Sequence, residues 1–190
     1  GYGQKIGSHY PTVLKEYVDM NDRYPYDPEK AKELLSQAGY QDGLTLEMYL
    51  PKSYPAYVSA GQVIADSLKE VGITCNITIV EWAAWLSDVY NGRNYDLTVV
   101  GHTGRQSDSS ENYFNYSNEE VDQLLADYKS ETDGDKRTEI VQRVQEILAQ
   151  DVPAYYIQDP MTIYVTDSAV TGFQLYPIDI YELKDISLGQ

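Results

Sequence analysis

Between residues 44 and 100 the chain alternates three β-patterned runs with two helical ones, and this alternation limits the possible folds more than any other feature. Leu44, Leu46, Met48 and Leu50 alternate with Thr45, Glu47 and Tyr49, the period of two of a strand with one buried face. Pro51 and Pro55 bracket a polar turn. Residues 55–71 then predict a helix with Ile64, Leu68 and Val71 facing inward and Gly72 at its end. Ile73 to Val80 alternates again, and a helix of that length between two strands predicts a right-handed parallel crossover. Trp82, Trp85, Leu86, Val89 and Tyr90 fit a short amphipathic helix closed by Gly92. Tyr95 to Val100 is β-branched and almost continuously apolar, which predicts a third strand buried on both faces. Strand, helix, strand, helix, strand is an α/β layer architecture.

The third strand opens into Gly101-His102-Thr103-Gly104-Arg105, two glycines bracketing polar side chains with a cation after them. Ligands of open α/β sheets collect beyond the carboxyl ends of the strands, where glycine lets backbone come close. Taken alone, the segment reads first as an ordinary strand-to-loop exit and only second as a binding lip. Trp82 follows the second strand as His102 follows the third, so both are expected on one edge of the sheet, with Trp82 partly exposed. Trp85 stands in register with Leu86 and Val89 and is expected in the core. His102 alone reads as structural or merely exposed; beside Trp82, Thr103 and Arg105 it becomes a candidate ligand contact.

The flanks are less patterned. Residues 1–26 hold three glycines in the first seven positions and, apart from a short apolar patch around Val13, Leu14, Tyr17 and Val18, little that nucleates a core, which suits a strap lying across something else. Asp27-Pro28 starts a helix whose apolar face is Ala31, Leu34, Leu35 and Ala38, with Gly39 as its stop. After a polar stretch, Ser117-Asn118-Glu119-Glu120 predicts a capping box ahead of Val121, Leu124, Leu125 and Tyr128. A further helix over about 135–150 is expected to bury Ile140, Val144, Ile147 and Leu148. Residues 154–158 and 161–165 read as strands around Asp159-Pro160, and Phe173, Leu175 and Ile178 lie among turn signals in the tail.

Several function classes are excluded or made improbable by what the residues offer. With 14 basic against 30 acidic residues the formal charge is −16, a field that repels phosphate backbones and anionic membranes, so no nucleic-acid partner is expected. Cys75 is the single cysteine; it alternates with Ile73, Ile77 and Ile79 as a small core residue and leaves no intrachain disulfide or thiolate metal cluster. No apolar run approaches membrane-spanning length, and no signal peptide is recognisable. Two histidines and none of the hydrolase, metalloprotease, dinucleotide or phosphate-loop motifs give no basis for an enzyme, a cofactor or a metal site. What remains is recognition, for which 19 tyrosines against two phenylalanines supply flat apolar faces with polar tips.

The ordered set Y-P-Y-D-P-E-K-A-K-E-L-L-S-Q-A-G-Y at 24–40, V-E-W-A-A-W-L at 80–86, Y-D-L-T-V-V-G-H-T-G at 95–104, Y-S-N-E-E-V-D-Q-L-L at 116–125 and G-F-Q-L-Y-P-I-D at 172–179 resembles the family 5 extracellular solute-binding proteins of ABC importers, which include oligopeptide, dipeptide and nickel binders. The resemblance implies an α/β fold, a lobe of the periplasmic-binding-protein type II kind with a mixed, mostly parallel sheet flanked by helices. It also implies that 27–190 is a C-terminal ligand-binding lobe and that 1–26 is a connecting strap arriving from an N-terminal lobe.

Carried over residue by residue, the resemblance places Trp82 at the cleft-lining tryptophan of an E-W motif. His102, Thr103 and Gly104 fall where peptide binders have a tryptophan and a small residue. Arg105 stands where those relatives have an aspartate for the peptide's ammonium, a departure that puts simple ammonium recognition in question and favours anionic or hydroxylated ligands or a shifted register. Asp108 matches the aspartate of a D-P motif without its proline, and Tyr155 and Tyr156 match a strand that lends tyrosine to some clefts. The implied partners are a small solute, a peptide first or an oligosaccharide or nickel complex, an ABC permease, and the N-terminal lobe. The implied place is extracytoplasmic, in the periplasm or lipid-anchored on the outer face of the membrane. A tyrosine-rich interaction module without a small ligand is the reading from a different class.

Overall fold

The computed structural model describes residues 2–102, 113–176 and 182–189. Its short first strand, β1 (Gly3–Lys5), pairs with a short late one, β5 (Gln158–Pro160). Two compact units divide the chain, one of Gly1–Gln4 with Asp159–Gln190 and one of Lys5–Gln158.

The larger unit contains the alternation expected from sequence. Helix α1 (Pro28–Gln37) is capped by the Asp27 carboxylate, which accepts from the Lys30 amide at 2.9 Å, and Gly39 closes it at positive φ. None of its residues is buried and Leu34 is half exposed, so the apolar face expected for this helix is not covered within the described residues. Strand β2 (Leu44–Pro51), helix α2 (Pro55–Lys69) and strand β3 (Ile73–Val80) follow within two residues of their expected bounds. β2 pairs with β3 in parallel from Leu44 opposite Ile73 to Pro51 opposite Val80. Met48, Leu50 and Pro51 of β2 are buried, and Gly61 lets α2 come down on Leu50: a β-carbon there would press to 2.6 Å of the Leu50 Cδ1. Cys75 is half-buried, and that burial pushes its thiol pKa up.

The helix after β3 begins as expected and then changes form: α3 (Trp82–Trp85) passes into a π-helical turn over Leu86–Asn91. The third strand corrects the sequence reading. Only Leu97–Thr98 forms a ladder, as β4, parallel to β2 with Met48 opposite Leu97. It lies at the edge of the order β3-β2-β4, and Leu97 to Val100 are half-buried and not enclosed on both faces. Asp96 explains the short ladder, because its carboxylate takes the Glu47 amide at 2.7 Å while its own amide donates to the Glu47 carbonyl at 3.0 Å. A side chain thus replaces the next rung.

Helix α4 (Glu119–Ser130) corrects the expected capping box. The cap is Asn118, one residue later, whose Oδ1 accepts from the Glu120 and Val121 amides at 3.0 and 3.2 Å. Helix α5 (Gly134–Asp151) packs against it, with Val121, Val144 and Ile147 buried and Leu124, Leu125 and Leu148 half-buried at the seam. The strap has more structure than its composition suggests. Ser8 and Gln145 are both fully buried, and the Ser8 hydroxyl donates to the Gln145 Oε1 at 2.8 Å. The same oxygen accepts the Val18 amide at 3.1 Å while Nε2 donates to the Glu16 carbonyl at 2.7 Å, so three points of the strap close on one amide.

Residues 154–158 and 161–165 do not form the two strands expected of them. Of this stretch only β5 is paired, and Met161 to Val165 are exposed, their apolar alternation finding no neighbouring strand among the described residues. In the smaller unit the antiparallel pair β6 (Val170–Thr171) and β7 (Ser187–Leu188) holds the tail. No described helix is long and apolar enough to cross a membrane.

Candidate functional site

In a parallel sheet the residues that follow each strand gather on the same edge, and here those residues are aromatic. After β3, Trp82 and Trp85 stand three apart on α3, so their side chains share one face. Their rings lie flat on each other, 4.8 Å between centroids with planes 5° apart. Trp85 is buried; its indole N–H donates to the Thr98 hydroxyl at 3.0 Å, and that hydroxyl donates to the Tyr49 carbonyl at 2.7 Å. One tryptophan is thus bolted to β4 and β2, while Trp82 stays half-buried at the rim.

From Trp82 the rings continue both ways. Tyr54, in the turn after β2, meets Trp82 edge-on at 5.3 Å, and Tyr57 stacks on Tyr54 at 5.1 Å. In the other direction Trp85 meets the buried Tyr113 at 5.6 Å. Tyr113 lies 4.4 Å from Phe114 and 5.6 Å from the His102 ring, and the His102 Nε2 and Tyr113 hydroxyl share a hydrogen bond of 2.8 Å. The Tyr95 hydroxyl secures this end by donating to the Tyr113 carbonyl at 3.1 Å. Trp82 and His102, placed on one edge by the strand pattern, are therefore joined by the unbroken ring path Trp82–Trp85–Tyr113–His102. Tyr54 is 41 % exposed and Phe114 39 %, and His102 is exposed as well.

Charge is sparse in this part of the described edge. Lys52, just past β2, and Glu81, just past β3, form an exposed ion pair, held in place by the Lys52 amide donating to the Val80 carbonyl at 2.8 Å. The hydrogen bond to Glu81 raises the pKa of the Lys52 ammonium. Among the described residues no group of three or more histidines, cysteines or carboxylates is placed to hold a metal ion. The rings offer flat contact surface with hydroxyl and N–H tips, which suits them to holding a molecule.

Of the other residues singled out from sequence, Thr103, Gly104, Arg105 and Asp108 lie outside the described residues. Tyr155 and Tyr156 belong to a different cluster. Tyr155 is exposed; Tyr156 packs 5.8 Å from the His9 ring, and burial pushes its hydroxyl pKa up to about 12. Both border a cavity of about 30 Å³ beneath the strap, room for a water or two and not for a solute. The sequence reading missed Tyr54, Tyr57, Tyr113, Phe114 and the Lys52–Glu81 pair. The signal for the first two was available: the turn between Pro51 and Pro55 leaves the carboxyl end of β2 and so had to reach the same edge as Trp82, with Tyr54 and Tyr57 spaced three apart at a helix start.

Comparison with known proteins identifies the family. A model of the bacterial extracellular solute-binding proteins, family 5 middle region, matches residues 1–123. The di/tripeptide-binding protein 1 of Pseudomonas aeruginosa is 25 % identical over 208 aligned positions, covering all of this chain and 38 % of the relative. The dipeptide-binding protein of Escherichia coli K12 is 25 % identical over 207, covering 99 % of this chain and 38 % of the relative. Among solved structures, the ABC transporter-associated periplasmic binding protein DppA of Helicobacter pylori, in complex with the peptide STSA, superposes with a TM-score of 0.84 at 24 % identity, covering all of this chain and 40 % of that one. The chain thus spans about two fifths of the length of the relatives it matches.

Proposed function

Because the chain belongs to the bacterial extracellular solute-binding proteins of family 5, a family of binding proteins and not of enzymes, we propose that it is the part of an ABC importer's substrate-binding component that presents the aromatic sheet edge to a small solute, a short peptide above all. The observation that carries this reading is the continuous run of rings from Tyr57 through Trp82 and Trp85 to His102, at the edge where α/β sheets place their ligands. The relatives named for di- and tripeptides supply the solute class. An N-terminal lobe of the longer protein would close over the edge and bury most of the ligand, and a permease in the membrane would receive it. Delivery of that kind places the protein outside the cytoplasm, in the periplasm or tethered by a lipid to the outer face of the membrane.

Two measurements on the full-length protein test this. Native mass spectrometry of the purified protein is expected to show a bound peptide, and calorimetry with that peptide is expected to lose about tenfold or more in affinity on Trp82→Ala, the scale of a removed aromatic contact. Unchanged affinity overturns the assignment of the edge. An oligosaccharide in place of the peptide is the second reading, favoured by the partly exposed faces of Tyr54 and Trp82, which suit the flat side of a sugar ring; the mass of the bound species decides between them.

A further inference from the structure

Gly101 is a glycine for reasons of space. It lies outside the set of positive-φ residues, so its backbone does not demand glycine. The demand comes from Tyr57: a β-carbon at position 101 would overlap the Tyr57 hydroxyl oxygen and stand 3.1 Å from Cζ and 3.6 Å from Cε1. A tyrosine ring is rigid from Cβ to its hydroxyl, so it yields only by swinging as a whole. Tyr57 is stacked on Tyr54, which in turn meets the edge of Trp82. Trp82 does not follow, because it lies flat on the buried Trp85, itself held by Thr98. A side chain at 101 therefore displaces the two tyrosines against a fixed pair of tryptophans. It alters the surface and leaves the core in place.

That surface has a definite chemistry. Ring faces satisfy neither a peptide amide nor a carboxylate, and a polar group laid on them loses its water without a replacement. The neighbouring Lys52 and Glu81 are committed to each other. What rests well on Tyr54, Tyr57 and Trp82 is carbon, and flat carbon best. We propose that Tyr54, Tyr57 and Trp82 form the subsite for an aromatic or other bulky apolar side chain of the bound peptide, with Gly101 as the positioning residue that sets this specificity. The inference rests on the peptide reading above and deepens it.

The test is calorimetry on the full-length protein with Ala-Ala, Ala-Phe and Phe-Ala as probes. The wild-type protein is expected to bind at least one phenylalanine dipeptide about tenfold or more tighter than Ala-Ala, the scale of an apolar subsite. Gly101→Ala should cut that ratio to about threefold or less while shifting Ala-Ala affinity little. Tyr57→Phe removes the oxygen that collides, so the double variant Gly101→Ala/Tyr57→Phe should recover most of the ratio, which a general loss of structure would not allow. Tyr57→Ala, which leaves Gly101 untouched, should lose the ratio as well and serves if Gly101→Ala fails to fold. Equal affinity for all three dipeptides in the wild-type protein, or a double variant no better than Gly101→Ala, overturns the inference while leaving peptide binding intact. Failure of all three dipeptides to bind overturns the peptide reading and this inference with it.

Discussion

Among its described residues the larger unit has two hydrophobic cores of opposite character. At the sheet edge, Trp85, Val89 and Tyr113 are enclosed by Tyr49, Trp82, Tyr90 and Tyr95, a core made mostly of rings. Between α4 and α5, Val121, Val144 and Ile147 are enclosed by leucines and Tyr116, a core made mostly of aliphatic chains. An aliphatic side chain has no polar end and gains only by being covered. A ring with a hydroxyl or N–H tip reaches out of the core and still gains from its inner neighbours, as Trp85 does through Thr98 and Tyr95 through the Tyr113 carbonyl. One core can therefore continue onto the surface as a binding face, and the other closes on itself. If the proposed binding face is the right one, stability and recognition share residues in the first core and are separated in the second.

The contrast predicts unequal consequences. Ile147→Ala, in the aliphatic seam, should cost about 2–5 kcal/mol of unfolding free energy, the usual range for an emptied core site, with solute affinity in the full-length protein unchanged. Chemical denaturation beside calorimetry checks this, and a parallel loss of affinity would break the separation of the two cores.

Acid should act on the helical side as well. His9 lies with Tyr10, Leu125, Tyr128, Val141 and Val144, and burial lowers its pKa from 6.5 to about 4. The folded protein therefore resists protonating a group that the unfolded chain protonates readily. The stability that depends on neutral His9 is whole above pH 6.5 and falls as the pH drops toward 4, by about 2–3 kcal/mol. Melting curves between pH 4 and 7 should show a shallower slope for His9→Asn than for the wild-type protein, and equal slopes would refute the role of His9. The smallest effect expected is at the α4 cap, where Asn118→Ala should cost about 1 kcal/mol, read from the same denaturation curves.

How far these regions were legible follows from the kind of signal each leaves. β2, α2 and β3 were readable almost to the residue, because a two-residue or 3.6-residue apolar period is a local property and Gly72 marks its own turn. β4 was over-read because its apolar run suggests a central strand, while its length is decided by Asp96, a single side chain competing for the Glu47 backbone. The late strands were over-read for a related reason: alternation shows that a segment is able to pair, and says nothing of whether a neighbouring strand is present. Trp82 and His102 were placed together by topology alone, since parallel strands end on one edge. Tyr113 was not, because it reaches that edge from a polar stretch without period. Asn118 took the cap from Ser117 because its side chain also donates to Asp151 at 3.0 Å, a contact no local pattern contains.

The amide of Gln145 that gathers the strap has a consequence in time. Its hydrogen bond to Ser8 joins residues 137 positions apart. A ribosome adds roughly 5–20 residues each second, so the strap is synthesised on the order of ten seconds before its docking partner exists. During that interval the early residues must stay in water without finding a wrong neighbour. Their glycines and Pro11, which hinder association into sheets, fit a segment that waits. Slow synthesis would then cost this segment little, whereas a substitution making it more apolar would raise its risk of misassembly during the same interval.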